Sequence, residues 1–218
     1  VWYDHKIGEG GDAINFLCDV EGLSKRDAFE LMRKETGQTL KVPATKRRDV
    51  GWWVYTDERG IPVSRAVRYE PGPDGKSKGY RQEAADGADG WRSGKGCMQG
   101  VPRVPYRLPG ILKADTVYIV EGEKCADRLH NGGLVATCNA EGAGKWRREH
   151  AQHLTGKHVV ILGDNDDPGR KHVKQVLASL IGVAASIKVP PLDGLPVKGD
   201  VVDWLDAGHT IDDLRALV

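Results

Sequence analysis

Apolar positions at helical spacing mark the first forty residues of the chain. An i, i+3, i+4, i+7 stripe predicts a first short amphipathic helix, formed by Ala13, Phe16, Leu17 and Val20. Ser24 and Asp27 have the spacing of a capping box and predict a second helix, which Gly37 would end. The pattern therefore predicts a helical hairpin, with Asp12 as the N-cap of its first helix.

Short alternating runs follow in the middle of the chain. Residues 53–55 and 63–69 are typical of β-strands joined by turns rich in Gly, Pro and Asp. Residues 72–79 and 86–96 are rich in the same turn formers and predict mobile loops. We expect a small mixed α/β subdomain here.

The pattern changes after residue 111, where β-branched runs alternate with helical patterns. Strands are predicted over 116–120, 134–137, 158–162 and 185–189, with helices over 123–131, 145–154 and 168–181. This alternation predicts an α/β fold with a parallel sheet of about four strands flanked by helices. The expected domains are a helical remnant over 1–40, the mixed subdomain over 41–110 and the parallel sheet over 111–218.

Composition narrows the class of protein. The 218 residues include 32 basic and 31 acidic side chains, and no apolar run approaches the roughly 20 residues that a bilayer-spanning helix needs. The four cysteines lie far apart without a C-x-x-C pair, which argues against a disulfide framework or a zinc ribbon. A cytoplasmic protein without a membrane partner is expected. Because the chain starts at Val1 without a signal-peptide pattern, we also expect a fragment of a longer protein.

The basic charge is concentrated in the middle of the chain. Residues 41–113 hold 15 basic against 8 acidic side chains, and seven of the fourteen aromatic residues. Basic and aromatic residues together are typical of nucleic-acid binding, because cations contact phosphates and rings stack on bases. An antiparallel sheet with a solvated basic face explains the same composition equally well. The candidate nucleic-acid ligands are Arg65, Arg68, Arg81, Arg92, Arg103, Trp52 and Trp53.

Acidic residues follow three of the predicted parallel strands. Glu121 follows the first strand, Asp164 and Asp166 follow the third, and Asp200 and Asp203 follow the fourth. The carboxyl ends of parallel strands meet at one edge of a sheet, so these side chains are expected to converge.

Converging carboxylates raise one another's pKa unless a cation lies among them. Oxygen ligands without a nearby His or Cys favour Mg²⁺ or Mn²⁺ over zinc. Mg²⁺ commonly takes substrate phosphates as further ligands, so such a site indicates chemistry on phosphates. Any one of these residues is more often a cap or a turn residue, and Asp167 is the predicted N-cap of the following helix, with Pro168 as its first residue. The whole set at three strand ends favours a metal site. Lys124 and Lys145 are candidate phosphate ligands, with solvated side chains as the alternative.

These acidic residues resemble the Toprim domain, the metal-binding module of bacterial-type primases, topoisomerases and related nucleases. That domain has a strand-end Glu, here Glu121, and a strand-end D-x-D, here Asp164 and Asp166, followed shortly by a glycine, here Gly169. The resemblance covers roughly residues 112–218.

Further segments resemble phage and plasmid primases or primase-helicases. These are residues 120–124, 198–205 and the Tyr-Arg-Leu-Pro run at 106–109. Residues 2–16 are similar to the end of the zinc-finger domain that precedes Toprim in such primases. The cysteine ligands of that finger are absent, so zinc is expected only if a finger lies upstream.

The resemblance implies synthesis of short primers on a single-stranded DNA template from nucleoside triphosphates, with a replicative helicase acting in cis or in trans. It implies two Mg²⁺ or Mn²⁺ ions held by Glu121, Asp164 and Asp166, with general acid or base work at Glu121. Asp200 and Asp203 would complete or orient the metal shell, unless Asp203 instead caps a helix, and Gly169 would lie near the nucleotide. A Toprim nuclease and a catalytically silent DNA-binding module remain as alternatives.

Overall fold

The computed structural model describes residues 2–4, 9–11, 13–37, 47–73, 76–87 and 90–218. The chain divides into two compact units, Val1–Lys46 and Arg47–Val218. No helix within the described ranges is both long enough and apolar enough to cross a bilayer. The division of the chain into three domains remains a prediction.

The first unit contains a β-hairpin and two helices. Strands β1 (Trp2–Asp4) and β2 (Glu9–Gly11) pair antiparallel. Helices α1 (Ala13–Asp19) and α2 (Lys25–Thr36) follow, so the predicted pair of helices is confirmed.

The predicted ends of α2 are also confirmed. The side chain of Ser24 accepts a 3.2 Å hydrogen bond from the backbone N–H of Asp27, and Gly37 ends the helix with φ of 65°. Glycine suits that left-handed conformation because it has no Cβ to collide with the backbone. Asp12, the predicted N-cap of α1, lies outside the described residues.

The second unit begins with an antiparallel sheet. Its four strands pair in chain order and are β3 (Arg48–Thr56), β4 (Pro62–Glu70), β5 (Gly79–Asp86) and β6 (Gly90–Arg92). The strands predicted at 53–55 and 63–69 are therefore confirmed. Within the described part of residues 47–107 the chain forms only strands and turns, and a helix follows at α3 (Leu108–Lys113).

The loop predicted over 86–96 is partly wrong, because β6 lies inside it. Trp91 on β6 pairs with Ala85 on β5, and its ring lies 4.5 Å below the Arg65 guanidinium. A three-residue strand is too short for its alternation to appear in the sequence, and cross-strand contacts stabilise it instead.

The rest of the second unit alternates strands and helices around a parallel sheet. In chain order these elements are β7 (Thr116–Ile119), α4 (Glu123–Asn131), β8 (Ala136–Thr137), α5 (Arg148–Gln152), β9 (His158–Ile161), α6 (Asp167–Leu180), β10 (Ser186–Lys188), α7 (Val201–Asp206) and α8 (Ile211–Ala216). The strands lie in the order β10-β9-β7-β8 and all pair parallel. The predicted four-stranded parallel sheet flanked by helices is confirmed.

Both faces of the parallel sheet are buried. Val117 and Val159 pack on one face with residues of α5 and α6, including Leu180. On the other face Tyr118 and Val160 pack with α4, α7 and α8, in a cluster that also contains Tyr55 of the antiparallel sheet. Strands buried on both sides explain the continuous apolar runs in the sequence. The second face brings the two sheets together beside the carboxyl end of β7.

Candidate active site

The carboxyl ends of β7 and β9 and the start of α7 bring three acidic residues into one cleft. Glu121 follows β7, Asp164 follows β9 after two residues, and Asp200 precedes α7. All three line a cleft of about 600 Å³. Trp53 and other residues of the antiparallel sheet line the same cleft, together with Lys78, which directly precedes β5.

Glu121 is partly buried among other acidic groups. Burial raises its pKa most, and the nearby charge of Asp166 adds to that effect. The neighbouring Asp164 side chain and the backbone of Ala143, in the loop after β8, lower the pKa in part, and it stays above its ordinary value. Its Oε2 atom is buried without a hydrogen-bond partner. A buried carboxylate oxygen without a partner is costly unless a ligand or a cation satisfies it.

Asp164 is the most perturbed carboxyl of the cleft. Burial raises its pKa first, and the charges of Glu121, Asp200 and Asp166 add to that effect, giving a pKa of about 7. Without a cation, Asp164 therefore retains a proton well above the usual pH range of an aspartate. Either a proton or a cation is needed to hold these carboxylates together.

Asp166 lies near Glu121 and Asp164 and also starts α6. Its Oδ1 atom accepts a 2.7 Å hydrogen bond from the backbone N–H of Gly169, which makes Asp166 the N-cap. The prediction of Asp167 as the cap is wrong, because Asp166 is still extended while Asp167 is already helical. One Asp166 oxygen remains beyond this cap bond.

Gly169 packs where no larger residue fits. A Cβ atom at this position would lie 2.5 Å from the backbone oxygen of Asp164. The first turn of α6 therefore approaches the Asp164 backbone closely, which explains a glycine shortly after the D-x-D run. Gly169 acts here through backbone packing.

Asp200 and Asp203 form a reciprocal capping box at α7. Asp200 Oδ1 accepts from the N–H groups of Val202, at 2.7 Å, and Asp203, at 3.2 Å, while Asp203 Oδ2 accepts from the N–H of Asp200 at 2.9 Å. Asp200 lies near the Cys125 thiol, whose pKa is raised first by burial and then by the charge of Asp200. Asp200 thus joins the acidic cleft, whereas the contacts of Asp203 belong to the helix start.

The carboxylate oxygens of the cleft are ligands that suit a hard divalent cation. Among the described residues, no group of three or more His, Cys, Asp or Glu side chains is arranged as a ready metal site. The carboxylates of Glu121, Asp164 and Asp200 nevertheless share one cleft, Glu121 keeps an unpartnered oxygen, and Asp166 keeps one outside its cap bond. A Mg²⁺ or Mn²⁺ ion would replace the proton on Asp164 and offset the repulsion that raises these pKa values.

The candidate phosphate-binding lysines lie in different places. Lys124 is exposed and lines the 600 Å³ cleft, as does Lys78, which the sequence did not single out. Lys145 lies outside that cleft and lines a small hollow of about 10 Å³ together with Arg103 and Arg147. Lys124 and Lys78 are therefore the lysines that face the acidic cleft.

Most of the candidate nucleic-acid arginines form contacts within the antiparallel sheet. Arg65 and Arg81 both pair with Glu83, which is 4% exposed, and Arg81 also holds Asp49 through two bonds of 2.5 and 2.6 Å. Arg68 pairs with its neighbour on the strand, Glu70. Arg65 pairs with Glu83 on the adjacent strand, and Arg81 reaches Asp49 two strands away. These two cross-strand pairs depend on sheet register, whereas the other pairs lie two residues apart on one strand.

The remaining candidates of this group differ in their surroundings. Arg92 donates a 3.3 Å bond to the backbone oxygen of Cys97, and Arg103 lines a groove with Arg81. Trp52 is 61% exposed. Trp53 lines the acidic cleft, and its Nε1–H donates a 2.9 Å hydrogen bond to Asp127.

Two acidic residues of α4 hold the antiparallel sheet against the helix. Tyr55 donates a 2.8 Å hydrogen bond to Glu123, whose pKa is raised by burial. Asp127 accepts bonds from Trp53, Tyr106 and Arg107, the last at 2.7 Å. Glu123 and Asp127 were not predicted as site residues, although their i, i+4 spacing places them on one helix face.

Comparisons with known proteins show the fold. No protein-family model matches the sequence, and no curated protein matches it. Among solved structures, the zinc-binding and RNA polymerase domains of Aquifex aeolicus primase align with 96% of this chain and 70% of theirs, with a TM-score of 0.53 and 17% sequence identity.

Two bacteriophage T7 structures are also similar. The primase fragment of the T7 primase-helicase protein aligns over 92% of this chain and 72% of its own, with a TM-score of 0.47 and 15% identity. The second structure is the T7 lagging-strand DNA polymerase interacting with primase domains of two gp4 subunits bound to an RNA/DNA hybrid and dTTP. It aligns over 77% of this chain and 75% of its own, with a TM-score of 0.46 and 18% identity. The Aquifex likeness carries the conclusion that this chain has the fold of a bacterial primase fragment.

Proposed function

We propose that this chain is the catalytic part of a Toprim primase and makes short primers on single-stranded DNA by metal-dependent nucleotidyl transfer. The observation that carries the proposal is the single cleft lined by the carboxyl groups of Glu121, Asp164 and Asp200, in which Oε2 of Glu121 is buried without a hydrogen-bond partner. The fold shared with the Aquifex aeolicus primase supports it. The proposed partners are a DNA template, nucleoside triphosphates and a replicative helicase in cis or in trans.

The acidic cluster is the proposed site of chemistry. Glu121, Asp164 and the second oxygen of Asp166 would hold Mg²⁺ or Mn²⁺ ions, with Asp200 completing the shell. When bound, such ions stabilise the attacking and leaving oxygens of an in-line phosphoryl displacement. Oε2 of Glu121 has no hydrogen-bond partner and, where the ions do not saturate this carboxylate, would accept a proton from the attacking hydroxyl.

Residues around the cluster would orient and bind the reactants. Lys124 and Lys78 line the cleft and have exposed side chains, so they would neutralise triphosphate or template phosphates. Tyr80 and Trp53 line the same cleft from the antiparallel sheet and offer rings to unpaired bases.

A priming assay tests the proposal directly. The protein is incubated with random single-stranded DNA, labelled nucleoside triphosphates and Mg²⁺ or Mn²⁺, and the products are separated by length. We expect short labelled products from the wild type and none from Glu121→Gln or Asp164→Asn. Asp212→Asn is the matched control, because it removes an exposed carboxylate on α8 and should leave synthesis unchanged.

The same assay separates the alternative functions. Metal-dependent shortening of the template without labelled product would show that the chain is a Toprim nuclease and not a primase. Template binding with neither synthesis nor cleavage, in both this chain and a longer natural form, would show that it is a silent DNA-binding module. Synthesis that survives Asp164→Asn would remove the acidic cluster from the mechanism.

A further inference from the structure

The residue between the two aspartates of the D-x-D run contacts a distant turn. The side-chain amide of Asn165 donates hydrogen bonds to the backbone oxygens of Leu195, at 2.9 Å, and Pro196, at 3.1 Å. The Arg170 side chain lies 3.5 Å from Asn165 Oδ1, on the oxygen side of the amide. Asn165 therefore uses both amide hydrogens on one turn, formed by residues 195–199 and named here the 195–199 turn.

The backbone of Asn165 holds the same turn. Its N–H group donates to the Gly199 oxygen at 2.9 Å, and its own oxygen accepts from the Lys198 N–H at 2.9 Å. Side chain and backbone together make four hydrogen bonds to four of the five residues of this turn.

The 195–199 turn is tightly folded. The Gly199 N–H donates to the Pro196 oxygen at 2.9 Å, and Lys198 has φ of 65°, which is unusual for a residue with a side chain. A Cβ atom at Gly199 would lie 2.8 Å from Cδ of Pro196. The turn therefore has little freedom to move relative to the atoms that hold it.

Asp200 directly follows the 195–199 turn. The connection from β10 to α7 spans residues 189–200 and has no helix or strand of its own. A long irregular connection samples many conformations unless contacts fix it. Besides Asn165, the Trp204 indole N–H holds this connection at the Asp193 oxygen, 3.2 Å away. The contact at Asn165 is the one next to the acidic cleft.

We propose that Asn165 is a positioning residue that holds Asp200 beside Glu121 and Asp164 and thereby sets the cation affinity of the cluster. The proposal rests on the function proposed above in so far as the cluster binds a divalent cation. It assigns the D-x-D run two tasks: the flanking aspartates supply carboxylates, and the central asparagine positions the third carboxylate from another element.

Asparagine is suited to this task by its hydrogen-bonding groups. An Asp side chain would have the same shape but only acceptor oxygens, which would face two backbone carbonyl oxygens. An Ala side chain would leave those two oxygens without their donors. The backbone bonds of residue 165 remain in both variants, so the side-chain contribution can be isolated.

Direct Mn²⁺ binding tests the proposal. The binding of Mn²⁺ to the intact protein is measured from the electron paramagnetic resonance signal of free Mn²⁺, without nucleotide or template. We expect Asn165→Ala to weaken binding about tenfold, as is typical when a group that orients a ligand is lost. Asp200→Asn should weaken Mn²⁺ binding similarly. The double variant should bind Mn²⁺ no more weakly than Asp200→Asn alone, because both substitutions act through the same contact between Asp200 and the cation.

The control and the contrary outcomes are defined by the same measurement. Thr210→Ala removes the N-cap of α8 and so perturbs a neighbouring helix start without touching the cluster, and its Mn²⁺ affinity should equal that of the wild type. Unchanged affinity in Asn165→Ala, or additive losses in the double variant, would overturn the proposal. If Asn165→Ala fails to fold, Gly199→Ala replaces it, since the added Cβ displaces the same turn.

Amide hydrogen exchange separates this proposal from the proposed function. We expect Asn165→Ala and Gly199→Ala to speed exchange in residues 195–203, and Thr210→Ala to leave that segment unchanged. If the wild type binds no Mn²⁺, the metal-dependent function is wrong, and the role of Asn165 in cation affinity fails with it. Hydrogen exchange then still tests whether Asn165 holds the 195–199 turn. Unchanged exchange in Asn165→Ala would show that it does not.

Discussion

The hydroxyl of Tyr55 on β3 donates a 2.8 Å hydrogen bond to Glu123 in the first turn of α4. Tyr55 is 1% exposed, and burial raises the pKa of Glu123. Glu123 lies two residues after Glu121, so this bond ties the antiparallel sheet to the segment that carries the first carboxylate of the cleft. The acidic cluster is therefore supported by both sheets.

Tyr55→Phe should destabilise the protein by about 1–3 kcal/mol, because it leaves the buried Glu123 carboxyl without its donor. Urea unfolding followed by circular dichroism measures the change. Tyr80→Phe is the matched control: Tyr80 is 50% exposed, and its variant should stay within about 0.5 kcal/mol of the wild type. Equal losses in the two variants would contradict a specific role for the Tyr55 hydroxyl.

Asp164→Asn should stabilise the metal-free protein at high pH. Because the folded-state pKa of Asp164 is raised from 3.8 to about 7, the folded protein binds more protons than the unfolded chain between these values. Its stability therefore falls as pH rises through this window. We expect the variant to exceed the wild type by on the order of 1 kcal/mol or more at pH 8, and the gain to vanish near pH 4.

Thermal or urea unfolding in the presence of a chelator measures this difference. Added Mg²⁺ should stabilise the wild type and leave Asp164→Asn nearly unchanged, since only the folded wild type would bind the ion. A variant less stable than the wild type at pH 8 would mean that the Asp164 charge is already compensated without a cation.

Substitutions at Asp166 should separate its cap from its charge. Asp166→Ala should cost about 1 kcal/mol of stability through loss of the N-cap of α6, whereas Asp166→Ser should keep most of that stability because serine is a good N-cap. Primer synthesis should be lost in both variants, because both lack the carboxylate. Synthesis retained in Asp166→Ser would show that Asp166 acts only as the N-cap of α6 and that its carboxylate is not needed for the reaction.

DNA binding should depend on the lysines of the cleft more than on the paired arginines. Lys78→Ala and Lys124→Ala should each reduce the slope of log K against log salt by about 0.7 for single-stranded DNA, the value for one phosphate contact. Arg65→Ala should leave the slope unchanged and lower the stability instead, because it removes a partner of the buried Glu83. Fluorescence anisotropy over a salt series measures the slopes, and urea unfolding measures the stability. A reduced slope in Arg65→Ala would show that Arg65 contacts DNA phosphates.

Local sequence patterns determined much of the fold. The apolar runs that became β7 and β9, the capping residue Ser24 and the glycine at 37 all act within a few residues of one another. Their effects depend on backbone geometry and on burial of one segment. The order of strands and helices was sufficient to place Glu121 and Asp164 at one edge of the sheet, because parallel strands end on the same side.

Tertiary structure decided how individual atoms are used. The pairing of Arg65 with Glu83 follows from the register of β4 and β5, and the Tyr55–Glu123 contact follows from the packing of one sheet on α4. The same holds for Asn165 and the 195–199 turn, which are thirty residues apart in the chain. Such partners are selected by distance in space, which the spacing of residues along the chain does not specify.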